Sequence, residues 1–422
     1  MDKFHIVGPT RLAGRVQASG AKNASLPALA ASLLTDETIA LHRVPRVRDI
    51  RTMQRLLDHL GVGSEESGGA LMLRRERESS RLEAPYDLVK TMRAGVLVLG
   101  PLVARHGFAR VSLPGGCAIG VRPIDQHLKG LAALGAEVRL ANGYVEATAE
   151  RLIGTRFRFD LPTVTGTENL LLAACLARGT TVFENCAREP EVADLARLLG
   201  AMGARIAGAG GPTIEVEGVE QLGGAAHTII PDRIEGGTYL IGAVLTRGDV
   251  LLEQAVAADL APLLDKLAAV GAEVAVGEEG IRVRADGPLA ARDMETAPHP
   301  GFPTDLQAQY MALMTSVAGV SLIQEKVFEN RFQHAPELAR MGADVHVDGG
   351  SARIRGSTPL TGARVMATDL RASACLVLAG VAAAGATLVD RIYHLDRGYE
   401  GMELKLHKLG ARVERVAEIP AV

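Results

Sequence analysis

A loop rich in glycine and proline, residues 113–123, places a cysteine where its thiol could take part in chemistry. Its three glycines and two prolines predict a loop rather than a core strand. Cys117 lies in this loop, and the nearby positive charge of Arg122 would favour its thiolate form. The segment predicts either a functional thiol or a small loop residue without a chemical role, and the residue types alone leave both open.

A second candidate lies at the turn that enters the first predicted helix, Ser19-Gly20-Ala21-Lys22-Asn23-Ala24. The backbone N–H groups at a helix start attract anions, and Lys22 would add a full positive charge there. Lysines near helix starts are also common on solvated surfaces. The turn therefore predicts an anion site or, alternatively, an ordinary surface charge.

A third candidate is the carboxylate of Asp305, which follows a rigid segment with three prolines, residues 297–304. Asp305 is predicted to open a helix (Leu306 to Tyr310), where an aspartate is ordinarily an N-cap. If the same side chain faced a cleft, it could act as a general base. The sequence leaves both roles open.

Single arginines add dispersed positive charge at Arg93, Arg371 and Arg397. Isolated arginines usually form surface ion pairs that contribute little to stability. The chain has no Gly-x-x-x-x-Gly-Lys-Ser/Thr phosphate loop, no clustered His/Cys spacing typical of metal ligands and no Gly-x-Ser-x-Gly elbow. Neither a nucleotide hydrolase nor a serine hydrolase is supported, and no metal site is predicted.

The elements that must position these residues recur six times. A Leu-x-x-apolar-Gly-(Ala/Val) pattern returns every 68 to 74 residues, with its glycine at Gly61, Gly135, Gly203, Gly271, Gly342 and Gly410. Leucines one turn apart indicate the end of an amphipathic helix, and the glycine suits a left-handed C-cap. In most copies a short strand follows, so each unit is predicted to hold two helices and several strands. Six units divide most simply into two domains of three, with the second half beginning near Pro231.

Composition limits the classes of protein. The 422 residues carry a formal net charge of −3 and are 47% hydrophobic, which predicts about two folded domains and gives no reason to expect nucleic acid as a partner. The uncharged stretch Ala372–Val389 is predicted to be a core helix plus a strand rather than a membrane span. No secretory leader is expected before the strand-like segment Phe4–Val7.

The four cysteines show no CxxC pairing, so free thiols in a reducing compartment are expected. Cys175 and Cys375 lie in apolar predicted helices and are interpreted as packing residues. No role is assigned to Cys186.

Taken together, these segments resemble the UDP-N-acetylglucosamine 1-carboxyvinyltransferase family of enolpyruvyl transferases. The resemblance extends over essentially the whole chain, and the chain has the length typical of the family. The family's motifs also occur in the same order. They are Gly20–Asn23, Pro114–Cys117, Pro231–Glu235, Phe302–Asp305, Val327–Phe332 and Asp396–Glu400. One departure is Thr163-Val164-Thr165-Gly166-Thr167, where some members have Ser-Val-Gly-Ala-Thr. Some members also carry Asp at the place of Cys117.

The resemblance implies a fold of the α/β class, a two-domain inside-out α/β barrel built from six βαβαββ repeats, three per domain. Residues 22–230 would form the N-terminal domain with the Cys117 loop, and residues 1–21 with 231–422 the C-terminal domain. The active site is expected in the cleft between them. No metal or organic cofactor is implied.

The resemblance also implies roles for individual residues. Cys117 corresponds to the general acid and Asp305 to the proton acceptor, with Lys22 and Arg397 also catalytic. Phosphoenolpyruvate would be bound by Lys22, Asn23, Arg93, Arg122 and Arg397. UDP-N-acetylglucosamine would be bound by Asn23, Arg93, Arg122, Pro123, Ile124, Asp125, Gln126, Val164, Thr165, Gly166, Asp305 and Val327, with His127 beside them.

The implied activity is transfer of the enolpyruvyl group of phosphoenolpyruvate to the 3′-hydroxyl of UDP-N-acetylglucosamine, releasing phosphate through a tetrahedral intermediate. In the family this is the first committed step of peptidoglycan synthesis, hence of cell-wall formation, cell shape and division. A cytoplasmic enzyme is expected, with no membrane or nucleic-acid partner and with fosfomycin as a covalent inhibitor at Cys117. The alternatives are the sister enzyme acting on shikimate 3-phosphate and a non-catalytic sugar-nucleotide-binding protein.

Overall fold

The computed structural model describes residues 2–76, 81–113 and 124–417. These residues group into two compact units. The first unit comprises the described residues between 20 and 230, and the second comprises residues 2–19 together with 231–417.

The first unit alternates helices with short strands. Its helices are α1 (Lys22–Ala31), α2 (Arg48–His59), α3 (Tyr86–Val89), α4 (Leu99–His106), α5 (Asp125–Ala133), α6 (Val164–Ala174) and α7 (Pro190–Ala201), with 3₁₀ turns at Ser32–Leu34 and Arg93–Val98. Its strands are β3 (Ile39–His42), β4 (Val62–Ser67), β5 (Ala70–Arg75), β6 (Glu83–Ala84), β7 (Phe108–Ser112), β8 (Glu137–Ala141), β9 (Tyr144–Thr148), β10 (Arg156–Arg158), β11 (Thr180–Glu184), β12 (Arg205–Ala207), β13 (Thr213–Glu217) and β14 (Ala225–Thr228).

The second unit has the same composition. Its helices are α8 (Arg233–Leu245), α9 (Ala257–Val270), α10 (Gln307–Ser316), α11 (Ala335–Arg340), α12 (Leu370–Ala382) and α13 (Met402–Lys408), with 3₁₀ turns at Thr304–Leu306 and Ile392–Arg397. Its strands are β1 (Lys3–Gly8), β2 (Ala13–Gln17), β15 (Asp249–Glu253), β16 (Glu273–Gly277), β17 (Gly280–Arg284), β18 (Met294–Glu295), β19 (Val320–Gln324), β20 (Asp344–Asp348), β21 (Ser351–Arg355), β22 (Arg364–Met366), β23 (Gly385–Asp390) and β24 (Arg412–Val416).

Within the described ranges, the strands form six four-stranded sheets of one topology. Each has one parallel pair at an edge and two antiparallel pairs, as in the order β10-β11-β13-β12. The sheets of the first unit also include β14-β3-β5-β4 and β6-β7-β9-β8, and those of the second are β16-β17-β15-β2, β18-β19-β21-β20 and β22-β23-β1-β24. Strand β1 pairs antiparallel with β23, with Phe4 opposite Val389, so the start of the chain completes a sheet of the second unit.

Helices fill the inside of each unit. In the second unit α8, α10 and α12 pack against one another and are buried on nearly all sides. In the first unit α6 is buried in the same way and packs against both α1 and α4. Helices that are apolar all round require burial on every face. Strands such as β13 instead alternate buried and exposed residues, so each sheet covers the helices with one face.

The predicted repeat is confirmed at its helix ends. The six glycines Gly61, Gly135, Gly203, Gly271, Gly342 and Gly410 all have positive φ, between 93° and 112°. This left-handed conformation is the one that favours glycine after a helix. A strand follows every one of them, from β4 to β24.

Two further predictions about apolar segments are confirmed. The uncharged stretch Ala372–Val389 forms most of helix α12 and strand β23. Cys175 and Cys375 are fully buried packing residues, and burial raises the pKa of the Cys175 thiol to about 12. Cys186 is buried as well.

Candidate active site

Asp305 is held between two arginines. Its carboxylate oxygen Oδ1 accepts a hydrogen bond of 2.6 Å from Arg331 Nη2, and Oδ2 accepts one of 2.8 Å from Arg371 Nη2. The two arginine side chains are only 6% and 5% exposed, whereas that of Asp305 is 26% exposed. The carboxylate is therefore the part of this cluster that solvent or a ligand can reach.

The two arginines decide the charge of Asp305. Burial opposes ionisation of the carboxyl group, but the charges and hydrogen bonds of Arg371 and Arg331 outweigh it and hold the pKa of Asp305 well below its usual range. The pKa of Arg371 is in turn raised, because the neighbouring carboxylate outweighs burial. Asp305 is thus a permanent anion at neutral pH.

Of the two roles left open for Asp305, the ordinary helix cap is wrong. Neither the 3₁₀ turn Thr304–Leu306 nor helix α10 has a side-chain cap, and both Asp305 oxygens bind arginines. The interpretation of Arg371 as a surface arginine is also wrong, because it is buried against Asp305. Only tertiary structure could have revealed this pair, since the two residues lie 66 positions apart.

Neighbouring residues fix the arginines in place. Asp369 caps helix α12 by accepting hydrogen bonds from the backbone N–H groups of Arg371 and Ala372, at 2.8 and 3.0 Å. Arg371 also lies over the Tyr399 ring, 5.5 Å from its centroid. Arg331 donates to Thr304 Oγ1 at 2.8 Å, so the turn that carries Asp305 is tied to its partner.

Glu325, which sequence reasoning missed, links Val327 to the Asp305 turn. One of its carboxylate oxygens accepts a hydrogen bond from the Val327 backbone N–H, and the other accepts one from Thr304 Oγ1, both at 2.8 Å. Glu325 is 6% exposed, so these hydrogen bonds are shielded from solvent. Two predicted sugar-nucleotide residues, Asp305 and Val327, are therefore brought together by a buried carboxylate. Arg397 ends the 3₁₀ turn Ile392–Arg397 of the same unit.

In the first unit, Lys22 and Asn23 begin helix α1, as the sequence predicted. Lys22 Nζ lies 3.4 Å from an oxygen of Asp49, and its side chain is 12% exposed. The ordinary-surface interpretation of Lys22 is therefore wrong. Arg93 begins the 3₁₀ turn Arg93–Val98 and is half-buried.

Helices α5 and α6 bring together the other predicted sugar-nucleotide residues of this unit. Asp125, Gln126 and His127 form the first turn of α5, and Ile124 immediately precedes it. Val164, Thr165 and Gly166 form the first turn of α6, where Thr163 Oγ1 caps the helix by accepting from the Gly166 N–H at 3.2 Å. His127 Nε2 lies 3.3 Å from Thr165 Oγ1, so the two turns are in direct contact.

Cys117, Arg122 and Pro123 lie outside the residues that the structure describes. Their assigned roles stay predictions from the sequence. Across the described ranges, no group of three or more His, Cys, Asp or Glu side chains could hold a metal ion. No helix in those ranges is long and apolar enough to cross a membrane.

The sequence and the fold are similar to those of known proteins. A family model described as EPSP synthase (3-phosphoshikimate 1-carboxyvinyltransferase) matches residues 6–406. The enolpyruvyl transferase NikO from Streptomyces tendae superposes with a TM-score of 0.87 at 28% identity, over 98% of each chain. EPSP synthase from Acinetobacter baumannii shares the fold, with a TM-score of 0.76 at 18% identity over 99% of this chain and 100% of that one. These likenesses confirm the predicted two-domain inside-out α/β barrel.

Sequence relatives are closer and equally complete. A protein of Sorangium cellulosum is 57% identical over 420 residues, covering 99% of both chains. One of Desulfatibacillum aliphaticivorans is 55% identical over 419 residues, covering 99% of this chain and all of the relative. Both are named UDP-N-acetylglucosamine 1-carboxyvinyltransferase. The chain therefore belongs to the enolpyruvyl transferase family, and it is an enzyme of the group whose curated members carry that name.

Proposed function

We propose that this enzyme transfers the enolpyruvyl group of phosphoenolpyruvate to the 3′-hydroxyl of UDP-N-acetylglucosamine and releases phosphate. The observation that carries the proposal is the identity of 55–57% along the whole chain to relatives named for that transfer. The product would enter peptidoglycan synthesis, and with it cell-wall formation, cell shape and division. Phosphoenolpyruvate and nucleotide sugars are cytoplasmic metabolites, so the proposed place of action is the cytoplasm.

Phosphoenolpyruvate would be bound by cations. It carries a phosphate and a carboxylate on three carbons, and such a compact anion needs several positive groups around it. We assign this role to Lys22, Arg93, Arg122 and Arg397, with Asn23 as a polar contact. Lys22 and Arg93 are both partly shielded from water, which strengthens their interaction with an anion.

UDP-N-acetylglucosamine would be bound by the two helix starts described above and by the second unit's Asp305 and Val327. The first-turn N–H groups of α6 suit the negatively charged diphosphate. Ile124 to Gln126 and Val164 to Gly166 are the assigned residues of the first unit, with Arg122 and Pro123 preceding α5. Asn23 and Arg93 complete the assignment.

The proposed chemistry is an addition followed by an elimination. Cys117 donates a proton to C3 of phosphoenolpyruvate, C2 becomes electrophilic, and the sugar 3′-oxygen bonds to C2 as its proton passes to Asp305. The resulting tetrahedral intermediate then returns a C3 proton to the Cys117 thiolate as the C2–O bond to phosphate breaks, and the proton held by Asp305 passes to the departing phosphate. The products are the enolpyruvyl ether and inorganic phosphate, so the protons balance over the two steps.

The low pKa of Asp305 is compatible with its proposed role as proton acceptor, but it limits when Asp305 can take a proton. A carboxylate held by Arg331 and Arg371 is always in its proton-accepting form, but its affinity for a proton is low. It can still deprotonate a hydroxyl that attacks a cationic carbon, because bond formation acidifies that hydroxyl. Asp305 would therefore act as a base only while C2 is electrophilic, and it would not deprotonate the free sugar.

The rival acceptor is shikimate 3-phosphate, which the description of the matching family model names. A direct test measures phosphate release from phosphoenolpyruvate with each acceptor, for the wild type and for Cys117→Ser and Asp305→Ala. We expect release only with UDP-N-acetylglucosamine and its collapse in both variants. Release with shikimate 3-phosphate would reverse the assignment. Tight binding of the sugar nucleotide without any release would indicate a non-catalytic binding protein.

Fosfomycin should inactivate the enzyme in a time-dependent manner if Cys117 is a reactive thiol. The epoxide would alkylate the thiolate that Arg122 favours. Mass spectrometry of the intact protein should show one added fosfomycin, and phosphoenolpyruvate should be absent from the incubation so that competition does not mask the reaction. Cys117→Asp keeps an acid at this position without a thiol and should retain activity while resisting inactivation. Undiminished wild-type activity after prolonged exposure would contradict the prediction.

A further inference from the structure

A chain of buried hydrogen bonds runs from helix α4 through α6 to α5. The Gly100 backbone N–H donates to Asn169 Oδ1 at 2.7 Å, and Asn169 Nδ2 lies 2.9 Å from His127 Nδ1. His127 Nε2 then lies 3.3 Å from Thr165 Oγ1. Asn169 and His127 are 0% and 1% exposed, so water does not compete for these contacts.

The first donor fixes the direction of the whole chain. A backbone N–H can only donate, so the Asn169 atom facing Gly100 must be the amide oxygen, and the NH₂ group must face His127. His127 Nδ1 therefore accepts a hydrogen bond and carries no hydrogen. Gly100 is suited to this contact, because a Cβ at that position would lie 2.3 Å from the Asn169 backbone oxygen and 2.5 Å from Oδ1.

The tautomer of His127 follows. Burial, and to a smaller extent the charge of Arg93, lowers the pKa of His127 to about 3, so the ring is neutral near pH 7. With Nδ1 accepting from Asn169, the single ring hydrogen resides on Nε2 and is donated to Thr165 Oγ1. The Thr165 hydroxyl therefore accepts from His127 and cannot donate its own hydrogen to that ring.

The hydrogen of the Thr165 hydroxyl is left to point elsewhere. Among the described residues, His127 is the one hydrogen-bond partner of Thr165 Oγ1, and the Thr165 side chain is only half-buried. Thr165 also stands in the first turn of α6, where Thr163 caps the Gly166 N–H and the N–H groups of Val164 and Thr165 point out of the helix end. An acceptor arriving at this helix end would therefore meet an oriented O–H donor beside the N–H groups.

We infer that His127 and Asn169 are positioning residues that orient the Thr165 hydroxyl as a donor to a diphosphate oxygen of the sugar nucleotide. The inference rests on the proposed function for the identity of the ligand. It also gives a role to the departure at Thr165, a position where some family members have glycine. His127 acts through Thr165 and need not touch the substrate.

The test measures binding of UDP-N-acetylglucosamine by titration calorimetry, without phosphoenolpyruvate. Thr165→Val removes the hydroxyl but keeps the shape, and it should raise Kd about 10- to 100-fold, the usual effect of losing a hydrogen bond to a charged group. Thr165→Ser should restore binding to within about threefold of the wild type, since the donor is retained. Asn142→Asp, on an exposed turn of the same unit, is the unrelated control. Equal Kd values for Thr165→Val and wild type would overturn the inference.

A double-mutant cycle tests the hydrogen-bond relay itself, which runs from Asn169 through His127 to Thr165. His127→Phe should weaken binding about fivefold in the wild-type background and should have no further effect in Thr165→Val, because its action passes through that hydroxyl. An equal loss in both backgrounds would show that His127 acts independently and would contradict the relay.

Nitrogen NMR of the ¹⁵N-histidine-labelled wild type measures the tautomer of His127 directly. This measurement does not depend on whether any variant folds. It should show His127 protonated at Nε2 alone, and a hydrogen on Nδ1 would overturn the inference. Failure of the proposed function would look different: the binding and tautomer results would hold while the wild type released no phosphate.

Discussion

Asp305→Asn is expected to lower kcat by about 10²- to 10⁴-fold, the range usually lost with a general base. Asparagine keeps the size of the side chain but cannot accept the proton of the attacking hydroxyl. Initial rates of phosphate release at saturating concentrations of both substrates measure the effect. Asp348→Asn, at an exposed end of strand β20, is the matched control and should keep wild-type rates. A kcat for Asp305→Asn within tenfold of the wild type would remove Asp305 from the chemistry.

Loss of folding must be separated from loss of the base. In Asp305→Asn, the buried guanidinium groups of Arg331 and Arg371 lose their shared counter-charge. We expect the variant to unfold at a lower temperature and to be stabilised by added sulfate more than the wild type is. If the variant is folded but inactive in sulfate-free buffer at low temperature, the lost rate is due to the missing carboxylate and not to unfolding.

Arg371→Met is expected to lower the free energy of unfolding by about 3–5 kcal/mol, as when one partner of a buried ion pair is removed. The guanidinium group is replaced by a thioether that fills similar space but donates no hydrogen bond to Asp305. Urea unfolding near pH 7 measures the change. Arg353→Met, on an exposed position of strand β21, is the matched control and should change stability by less than about 0.5 kcal/mol. Equal stability of the two variants would contradict a stabilising ion pair between Arg371 and Asp305.

The pH dependence of stability provides a second readout of the ion pairs that Asp305 forms with Arg331 and Arg371. The pKa of Asp305 is lower in the folded state than in the unfolded state, where an aspartate titrates at about 3.9. Its ionisation therefore stabilises the fold above that pH, and this contribution is lost as the pH falls towards the folded pKa. Arg371→Met raises the folded pKa towards the unfolded value, so stability should fall less steeply on acidification than in the wild type.

The sequence was sufficient for features that depend on local geometry. The Gly271 cap, for example, requires a left-handed backbone immediately after helix α9, and the preceding leucines mark the buried face of that helix. Such signals need no knowledge of distant residues, which is why both the repeat and its strands could be predicted. The family resemblance then supplied the barrel, which the pattern of repeats alone did not define.

The parts that sequence reasoning missed depend on contacts between distant segments. Asp305 has the spacing of a helix cap, and nothing in its neighbourhood shows that Arg371, 66 residues later, is buried against it. Likewise, His127 and Asn169 are separated by 42 positions and meet because α5 packs on α6. A buried charge becomes favourable only when tertiary structure supplies its partner. The role of such a residue therefore cannot be inferred from composition or from the spacing of the repeats.

The most direct test of the proposed transfer is the reaction of the wild type with phosphoenolpyruvate and UDP-N-acetylglucosamine in deuterium oxide, followed by NMR and mass spectrometry of the sugar-nucleotide product. Addition through a protonated C3 predicts an enolpyruvyl ether on the 3′-oxygen with deuterium in its methylene group, because C3 gains a solvent-derived proton before one is lost. It also predicts one inorganic phosphate per product. An unchanged sugar nucleotide would contradict the transfer, and an enolpyruvyl ether without deuterium would contradict addition through a protonated C3.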